Sequence, residues 1–391
     1  MRINSLSKIK NLKGRRVFLR TDFNVPLSKG KILDDYKIRQ GLATIEWLAA
    51  RGARVIVATH LGEPLRRRAA ASVKPIAVRL RTLLKRPVKF LSGTVEPKIA
   101  AAVRKLRDGE IAILENLRFY KGEYANDAVF ARALADLADL YVNDAFAVSH
   151  REQASVAVIK KYLPSYAGLQ IAGELKALNK VLHPHKPLVV VMGGVKASTK
   201  TPLIARLYSR AAKILLGGAL ANNFLKYQGH SVGRSLVHAD QSAAVKKFFV
   251  GKKLKPKIML PLDLVVQDKR GRIRVCLPDG VRADESIFDI GPATITAYAA
   301  VIKSAQTLAW NGPLGKFEDN SFKYGTLAIA NLVAARSSGL AYGVIGGGET
   351  LAAFQMTKMA EYVDWISTAG GAMLTYLGGG KMPGLKGIIK N

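Results

Sequence analysis

LVVVMGG, residues 188–194, is an unbroken apolar run that stops on paired glycines. A strand wetted on one face alternates apolar and polar residues, whereas a strand covered on both faces does not. The run predicts a central strand of a parallel sheet with helices on either side. The second half of the chain repeats this grammar. Ile214–Leu216 ends in Gly217–Gly218, Lys257–Leu260 in Pro261, and Thr307–Trp310 in Asn311–Gly312–Pro313. Tyr342–Ile345 ends in Gly346–Gly347–Gly348, and Ile366–Thr368 in Ala369–Gly370–Gly371. In the first half Arg16–Arg20 runs into Asp22–Phe23–Asn24, Arg54–Thr59 into His60–Leu61–Gly62, Ile111–Leu114 into Glu115–Asn116–Leu117–Arg118, and Leu140–Val142 into Asn143–Asp144. Helices are predicted between them at 39–51, 72–85, 97–107 and 126–138, where apolar residues recur every three to four positions.

The expected fold class is α/β: two doubly wound, Rossmann-like parallel-sheet domains of similar size, joined by an interdomain helix, with a cleft between them. The joining helix is predicted at 167–182 (AGLQIAGELKALNKVL), which is rich in good helix formers and is followed by HPHKP at 183–187. The expected division is 1–166, a helix and hinge at 167–186, 187–374, and a closing segment 375–391. Turn signals at 269–271 and 278–280 predict a short antiparallel excursion within 263–290.

The chain has 391 residues, 49% of them hydrophobic, which is enough to fill two cores. Its one cysteine, Cys276, cannot close an intrachain disulfide, which suits a reducing, cytoplasmic compartment. No stretch reads as a secretory signal or a membrane span. The formal charge is +33, with +17 in residues 1–165 and +16 in the remainder. Such an excess fits either nucleic acid or multiply anionic small molecules. The even spread, with no basic tail, zinc finger or nucleic-acid module, favours small anions, and no specific nucleic-acid or membrane partner is expected.

Ligands of open α/β sheets bind beyond the carboxyl ends of the strands. The first rim so predicted is charged: Asp22, Asn24, His60, Arg118, His150 and Arg151. Guanidinium forks match phosphate and carboxylate oxygens, so a small, heavily anionic substrate is expected there. The second rim is glycine-rich: Gly193–Gly194, Gly217–Gly218, Gly312, Gly346–Gly348 and Gly370–Gly371. Glycine lets a nucleotide approach backbone amides, and helix N-termini offer N–H groups to phosphates. Lys196 and Lys200 would point the same way if a helix has begun by Lys196. Walker, dinucleotide-binding and protein-kinase motifs are all missing. Magnesium can be held by one or two carboxylates plus substrate phosphates, and Glu318 and Glu349 are the candidates.

These residues carry a resemblance. RTDFNVP (20–26), THLGEP (59–64), ENLRFYKGE (115–123), YVNDAFAVSHR (141–151), GGVKASTK (193–200), WNGPLGKFE (310–318), GGGET (346–350) and STAGGAML (367–374) resemble, in order and over essentially the whole length, the phosphoglycerate kinase family. The resemblance implies reversible phosphoryl transfer between ATP and 3-phosphoglycerate, running in glycolysis from 1,3-bisphosphoglycerate to ADP, by a magnesium-dependent, monomeric, hinge-bending enzyme. It implies that Asp22, Phe23, Asn24, Lys37, His60, Leu61, Gly62, Glu63, Arg118 and Arg151 bind the acid. Gly193, Gly194, Lys196, Lys200, Gly217, Gly218, Asn311, Pro313, Glu318, Gly347, Gly348, Glu349 and Thr350 would bind the nucleotide, with Glu349 on the metal. Lys200, Lys196, Lys37 and the amides of Gly370 and Gly371 would act on the transferring group. The segment 375–391 is expected to return to the first domain. Transfer to an already deprotonated carboxylate needs no general base but requires the two rims to close, with bending near 167–168, 182–187 and 367–375.

Three positions depart from the family pattern. Lys37 stands where many members have arginine, Glu63 replaces a substrate-facing arginine, and Glu349 stands where aspartate is common. Arg39 could stand in for Lys37 only outside a regular helix; one of Arg66, Arg67 or Arg68 is expected to neutralise Glu63 or take over its substrate contact, the alternative being that Glu63 turns outward and these arginines are solvated. Two other readings remain open: a two-domain ligase or kinase acting on another anionic acid, and a catalytically weakened member that senses nucleotide or binds RNA.

Overall fold

A computed structural model describes residues 2–64, 69–237 and 242–390. The chain divides into two compact units, residues 1–175 with 381–391 and residues 176–380.

The sheet of the first unit comprises β1 (Arg16–Thr21), β2 (Arg54–Ala58), β3 (Val88–Leu91), β4 (Ile111–Leu114), β5 (Leu140–Asp144) and β6 (Ser165–Ala167). Their order across the sheet is β3-β4-β2-β1-β5-β6, and every pairing is parallel. The helices are α1 (Tyr36–Ala50), α2 (Lys74–Leu84), α3 (Pro97–Arg104), α4 (Ala128–Ala135) and α5 (Leu169–Leu182). In α1 the buried Ile38, Gly41, Ile45 and Leu48 fall three to four apart, which aims one stripe at the sheet. Proline opens α2 and α3, where its missing N–H costs nothing. The Asp127 side chain caps α4 by accepting from the Phe130 N–H at 2.7 Å. Leu19, Val57, Ile113 and Val142 meet Ile45, Leu48 and Leu80 in the core.

Strands β3 and β6 were not anticipated. β3 is a four-residue edge strand with no fully buried residue, and β6 has three residues, so neither shows the long apolar run that marks the central strands. The chain ends join this unit: Arg2–Ile3 pairs antiparallel with Ile389–Lys390, and Asn143 Nδ2 donates to the Gly384 carbonyl at 3.0 Å.

The second unit carries β7 (Leu188–Met192), β8 (Ala211–Leu216), β9 (Ile258–Met259), β10 (Leu264–Gln267), β11 (Ile273–Cys276), β12 (Ser286–Ile290), β13 (Thr307–Asn311), β14 (Tyr342–Gly346) and β15 (Trp365–Ser367). The main sheet runs β9-β8-β7-β13-β14-β15, all parallel. The remaining three strands form an antiparallel sheet in the order β11-β10-β12, which is the excursion read between 263 and 290. Cys276 is buried on β11. The larger helices are α6 (Ala197–Leu207), α7 (Gly218–Gln228), α8 (Pro292–Ser304), α9 (Tyr324–Ser337), α10 (Gly348–Thr357) and α11 (Gly370–Gly378). Trp310 on β13 stands edge-on to Phe354 of α10, with ring centroids 5.2 Å apart, and its indole N–H reaches the Gly312 carbonyl at 2.7 Å. Among the described residues no helix is long and apolar enough to cross a membrane.

Asp144 is buried at the end of β5 and accepts from the N–H groups of Gln170 and Ile171 at the start of α5, at 2.9 and 3.2 Å. Burial nevertheless pushes its carboxyl up to about 6. A raised carboxyl contributes stability that is fully present below the unfolded value near 3.9 and is lost as pH rises through about 6. Asp144→Asn keeps the acceptor oxygen and removes the titration. Thermal unfolding from pH 4 to pH 8 should show the variant gaining on the parent by on the order of 2 kcal/mol. A gap that does not change with pH would contradict this.

Candidate active site

Adjacent strand ends deliver the charged rim of the first unit. β1 hands over to Asp22–Phe23–Asn24, β2 to Thr59–His60, and β4 to Glu115–Arg118, while β5 leads through a short turn to His150–Arg151. The buried Phe23 donates its N–H to Thr59 Oγ1 at 2.9 Å. Asn24 Oδ1 accepts from the Gly62 N–H at 2.9 Å. Asn116 Oδ1 accepts from the N–H groups of Leu61 and Arg118 at 3.2 and 3.0 Å, and its Nδ2 donates to the carbonyls of Leu61 and Ala71, both at 2.8 Å. Asn24 and Asn116 thereby hold the loop from His60 to Glu63 from two sides.

The Arg118 side chain is 1% exposed. Its Nη1 donates to the Gly62 carbonyl at 2.7 Å and lies 3.4 Å from Glu63 Oε1. Among the described residues its Nε and Nη2 are buried with no hydrogen-bond partner. Unsatisfied donors on a buried cation are costly, and an incoming anion would satisfy them. Arg151 is 41% exposed and donates to Glu63 Oε1 at 3.0 Å. His60 is held well below its ordinary value by burial and then by Arg20, with Asp22 opposing, so its ring is neutral near pH 7. Burial acts to raise the Asp22 carboxyl, but the charge and hydrogen bond of Lys37, with Arg20 behind it, outweigh burial and hold it below the usual range.

Lys37 is the second residue of α1 and pairs with Asp22 Oδ2 at 2.8 Å. It thus sits in a regular helix, and Arg39 is engaged with Asp35 at 2.8 Å, so Arg39 does not stand in for it. Arg66, Arg67 and Arg68, expected to answer Glu63, lie outside the described residues. The structure shows Glu63 answered by Arg118 and Arg151.

In the second unit the ends of β7, β8 and β13 are sewn together by their own backbones. The Gly193 N–H donates to the Asn311 carbonyl at 3.0 Å, Gly194 to Pro313 at 2.7 Å, Gly217 to Met192 at 3.0 Å and Gly218 to Leu314 at 2.7 Å. A Cβ at Gly193 would overlap the Pro313 carbonyl oxygen, and Gly312, at φ +88°, presses on Gly193 in the same way. These amides are engaged within the protein, so the glycines serve backbone-to-backbone approach first. First-turn N–H groups are the ones that lack intrahelical acceptors, and α10 and α11 open on this rim at Gly348 and Gly370.

Lys200 in α6 is buried and donates to Asn311 Oδ1 at 2.6 Å, while Asn311 Nδ2 donates to the Gly346 carbonyl at 2.6 Å. Thr350 Oγ1 accepts from the Gly312 N–H at 2.8 Å. Burial lowers Lys200 to about 8, with Glu349 opposing. Lys196 is exposed, extended and precedes the first helical residue, so the helical spacing that would align it with Lys200 does not apply. Beside this cluster lies a cavity of about 430 Å³ lined by Gly194, Gly218, Pro313, Glu318 and Glu349 together with Asn222, Arg234, Leu236 and Phe288. That volume suits a ligand the size of a nucleotide.

The sequence reading singled out neither the asparagine brace, Asn116, nor the last-named cavity residues. Asn116 followed a strand end and so left a signal. The cavity residues come from α7, the loop after it and β12, which carried none.

A guanidinium-lined rim on one doubly wound unit and a lysine-and-glycine rim with a nucleotide-sized cavity on another suit a class: α/β enzymes that handle two phosphorylated ligands. Residues 6–380 match the phosphoglycerate kinase family. The phosphoglycerate kinase of Thermomicrobium roseum is 42% identical over 382 residues, spanning 96% of this chain and 97% of that one. That of Desulforudis audaxviator is 42% identical over 390 residues, spanning 97% and 98%. The solved structure of phosphoglycerate kinase from Coxiella burnetii is similar at a TM-score of 0.85 and 36% identity, covering 99% of both chains. The chain belongs to the phosphoglycerate kinase family. It is a glycolytic phosphotransferase that reversibly transfers a phosphoryl group between ATP and 3-phosphoglycerate.

A lysine that loses its proton near pH 8 when unliganded and regains it beside phosphate makes affinity depend on pH. Nucleotide affinity, measured by calorimetry, should fall as pH rises from 8 to 9, by about fivefold. Lys200→Met should bind more weakly and lose that fall. A variant with the parent's pH dependence would show that the titrating group lies elsewhere.

Proposed function

We propose that the first unit holds the acid and the second holds the nucleotide. Asp22, Asn24, His60, Arg118 and Arg151 form the acid-binding set, with Phe23, Leu61 and Gly62 shaping its backbone. Lys196, Lys200, Asn311, Glu318 and residues 347–350 hold ATP or ADP. The observation that carries this reading is Arg118, a buried guanidinium with two donors left over.

In the ATP-consuming direction a carboxylate oxygen of 3-phosphoglycerate, already deprotonated at neutral pH, donates a lone pair to the γ-phosphorus of ATP. The bond from that phosphorus to the bridging oxygen breaks, and ADP leaves with the electron pair. No proton has to be removed, so the site needs alignment and charge neutralisation rather than a base. Lys200, Lys196 and Lys37, with the first-turn amides of α11, are placed in that role. Lys37 supplies charge without arginine's paired donors, and it shares that charge with Asp22. The chemistry requires both half-sites to meet around one phosphoryl group.

Among the described residues no three His, Cys, Asp or Glu side chains cluster as a metal site would. Glu349, exposed at the cavity, offers one carboxylate, which fits an ion that takes most of its ligands from phosphates and water. Glu349 would hold magnesium, which when bound offsets the charge of the nucleotide phosphates. The same reading makes the enzyme cytoplasmic and monomeric, with no specific nucleic-acid or membrane partner. The single cysteine and the small-molecule chemistry of both rims support it.

The test is a coupled assay of ADP formed from ATP and 3-phosphoglycerate. Arg118→Ala should lower kcat/KM for the acid by about 10- to 150-fold, as loss of charged hydrogen bonds worth roughly 1.5–3 kcal/mol implies, and leave KM for ATP nearly unchanged. Lys200→Ala should lower kcat. An Arg118 variant with normal acid kinetics would remove the acid site from this rim.

A further inference from the structure

One carboxylate oxygen, Glu63 Oε1, meets both guanidinium groups of the acid half-site, 3.4 Å from Arg118 Nη1 and 3.0 Å from Arg151 Nη1. The Glu63 side chain is 65% exposed, whereas that of Arg118 is 1% exposed. Arg151 first, and then Arg118, hold the Glu63 carboxyl below its ordinary value, so it is ionised across the neutral range. Its backbone has little freedom: the neighbouring Gly62 donates to Asn24 and accepts from Arg118. Any departure of the carboxylate is a side-chain rotation into solvent rather than a movement of the loop.

We propose that Glu63 is a specificity-determining residue of the acid half-site: its carboxylate occupies the place between Arg118 and Arg151 that an anionic group of the substrate takes, and the substrate displaces it. The proposal rests on the assignment of Arg118 and Arg151 to the acid. Glu63 is an incomplete internal ligand, because it meets Nη1 and, among the described residues, Nε and Nη2 of Arg118 have no partner. An incoming phosphate can take those two donors first and then claim Nη1. A phosphate monoester carries close to two negative charges at neutral pH and has three acceptor oxygens, so it outcompetes a single carboxylate. A monoanion such as acetate offers no more than Glu63 already supplies. The chain therefore trades some affinity for its true substrate against rejection of small monoanions.

Because the Glu63 carboxylate is largely exposed, the expected effect is modest. In the coupled assay at pH 7.5 and low salt, Glu63→Gln and Glu63→Ala should each lower KM for 3-phosphoglycerate about two- to fivefold, with kcat within about twofold and KM for ATP constant. Competitive inhibition by acetate against 3-phosphoglycerate should strengthen in both variants. Inhibition by acetate separates competition from a merely structural role, which would not alter it. If both variants leave KM unchanged or raise it, Glu63 orients the arginines instead of competing with substrate, and the proposal fails. Arg118→Ala and Arg151→Ala serve as the second arm. If neither raises KM for the acid, the assignment of the acid site is wrong. If they raise it while the Glu63 variants do not lower it, only the role of Glu63 is wrong.

Discussion

Covering both faces of a parallel sheet leaves polar groups one outlet, the strand ends. Leu188–Met192, Ile111–Leu114 and Leu140–Asp144 are buried at every position, so none of their side chains reaches water along the strand. Parallel pairing then puts all the carboxyl ends on one edge of each unit. Asp22, His60, Arg118 and Arg151 come together for this reason, although 129 residues separate the first from the last. The same constraint gathers Gly193, Gly217, Asn311 and Gly346 in the second unit.

The two rims are built differently. The first uses side chains set over a layer of buried charge. Arg20 and Glu123 are fully buried, 3.9 Å apart, with Arg20 also 3.4 Å from His60 Nδ1. Burial first, and then Arg20, keeps His60 neutral, and among the described residues Arg118 has donors to spare. The second rim uses backbone. Its strand ends approach so closely that only glycine fits at Gly193 and Gly312, and a single buried lysine is fixed by Asn311.

Much of this was legible in the order of residues. The central strands declared themselves because a doubly covered strand must be apolar throughout, and their ends because polar residues and glycine cannot sit in the sheet. β3 and β6 were silent for the complementary reason: short and only partly buried, they carry no sustained pattern. The condition placed on Lys196 and Lys200 depended on where α6 begins, which local propensity does not resolve, and α6 begins one residue too late. Asn222, Arg234 and Phe288 line the cavity beside Lys200, yet nothing in their own neighbourhoods marks them. They reach it through α7, the loop after α7 and β12, which only folding brings alongside.

Local patterning in the sequence determined the α/β class, the repeated strand-and-helix units, the two contrasting rims and the family motifs, because burial and backbone geometry constrain residue type position by position. Tertiary structure decided the pairings. That Glu63 faces Arg118 and Arg151, that Lys37 is tied to Asp22, that Asn116 braces the loop before Glu63, and that the glycine amides are engaged within the protein all depend on strands distant in sequence lying side by side. Electrostatic and hydrogen-bond energies fall off within a few ångströms, and separation along the chain does not report distances of that kind.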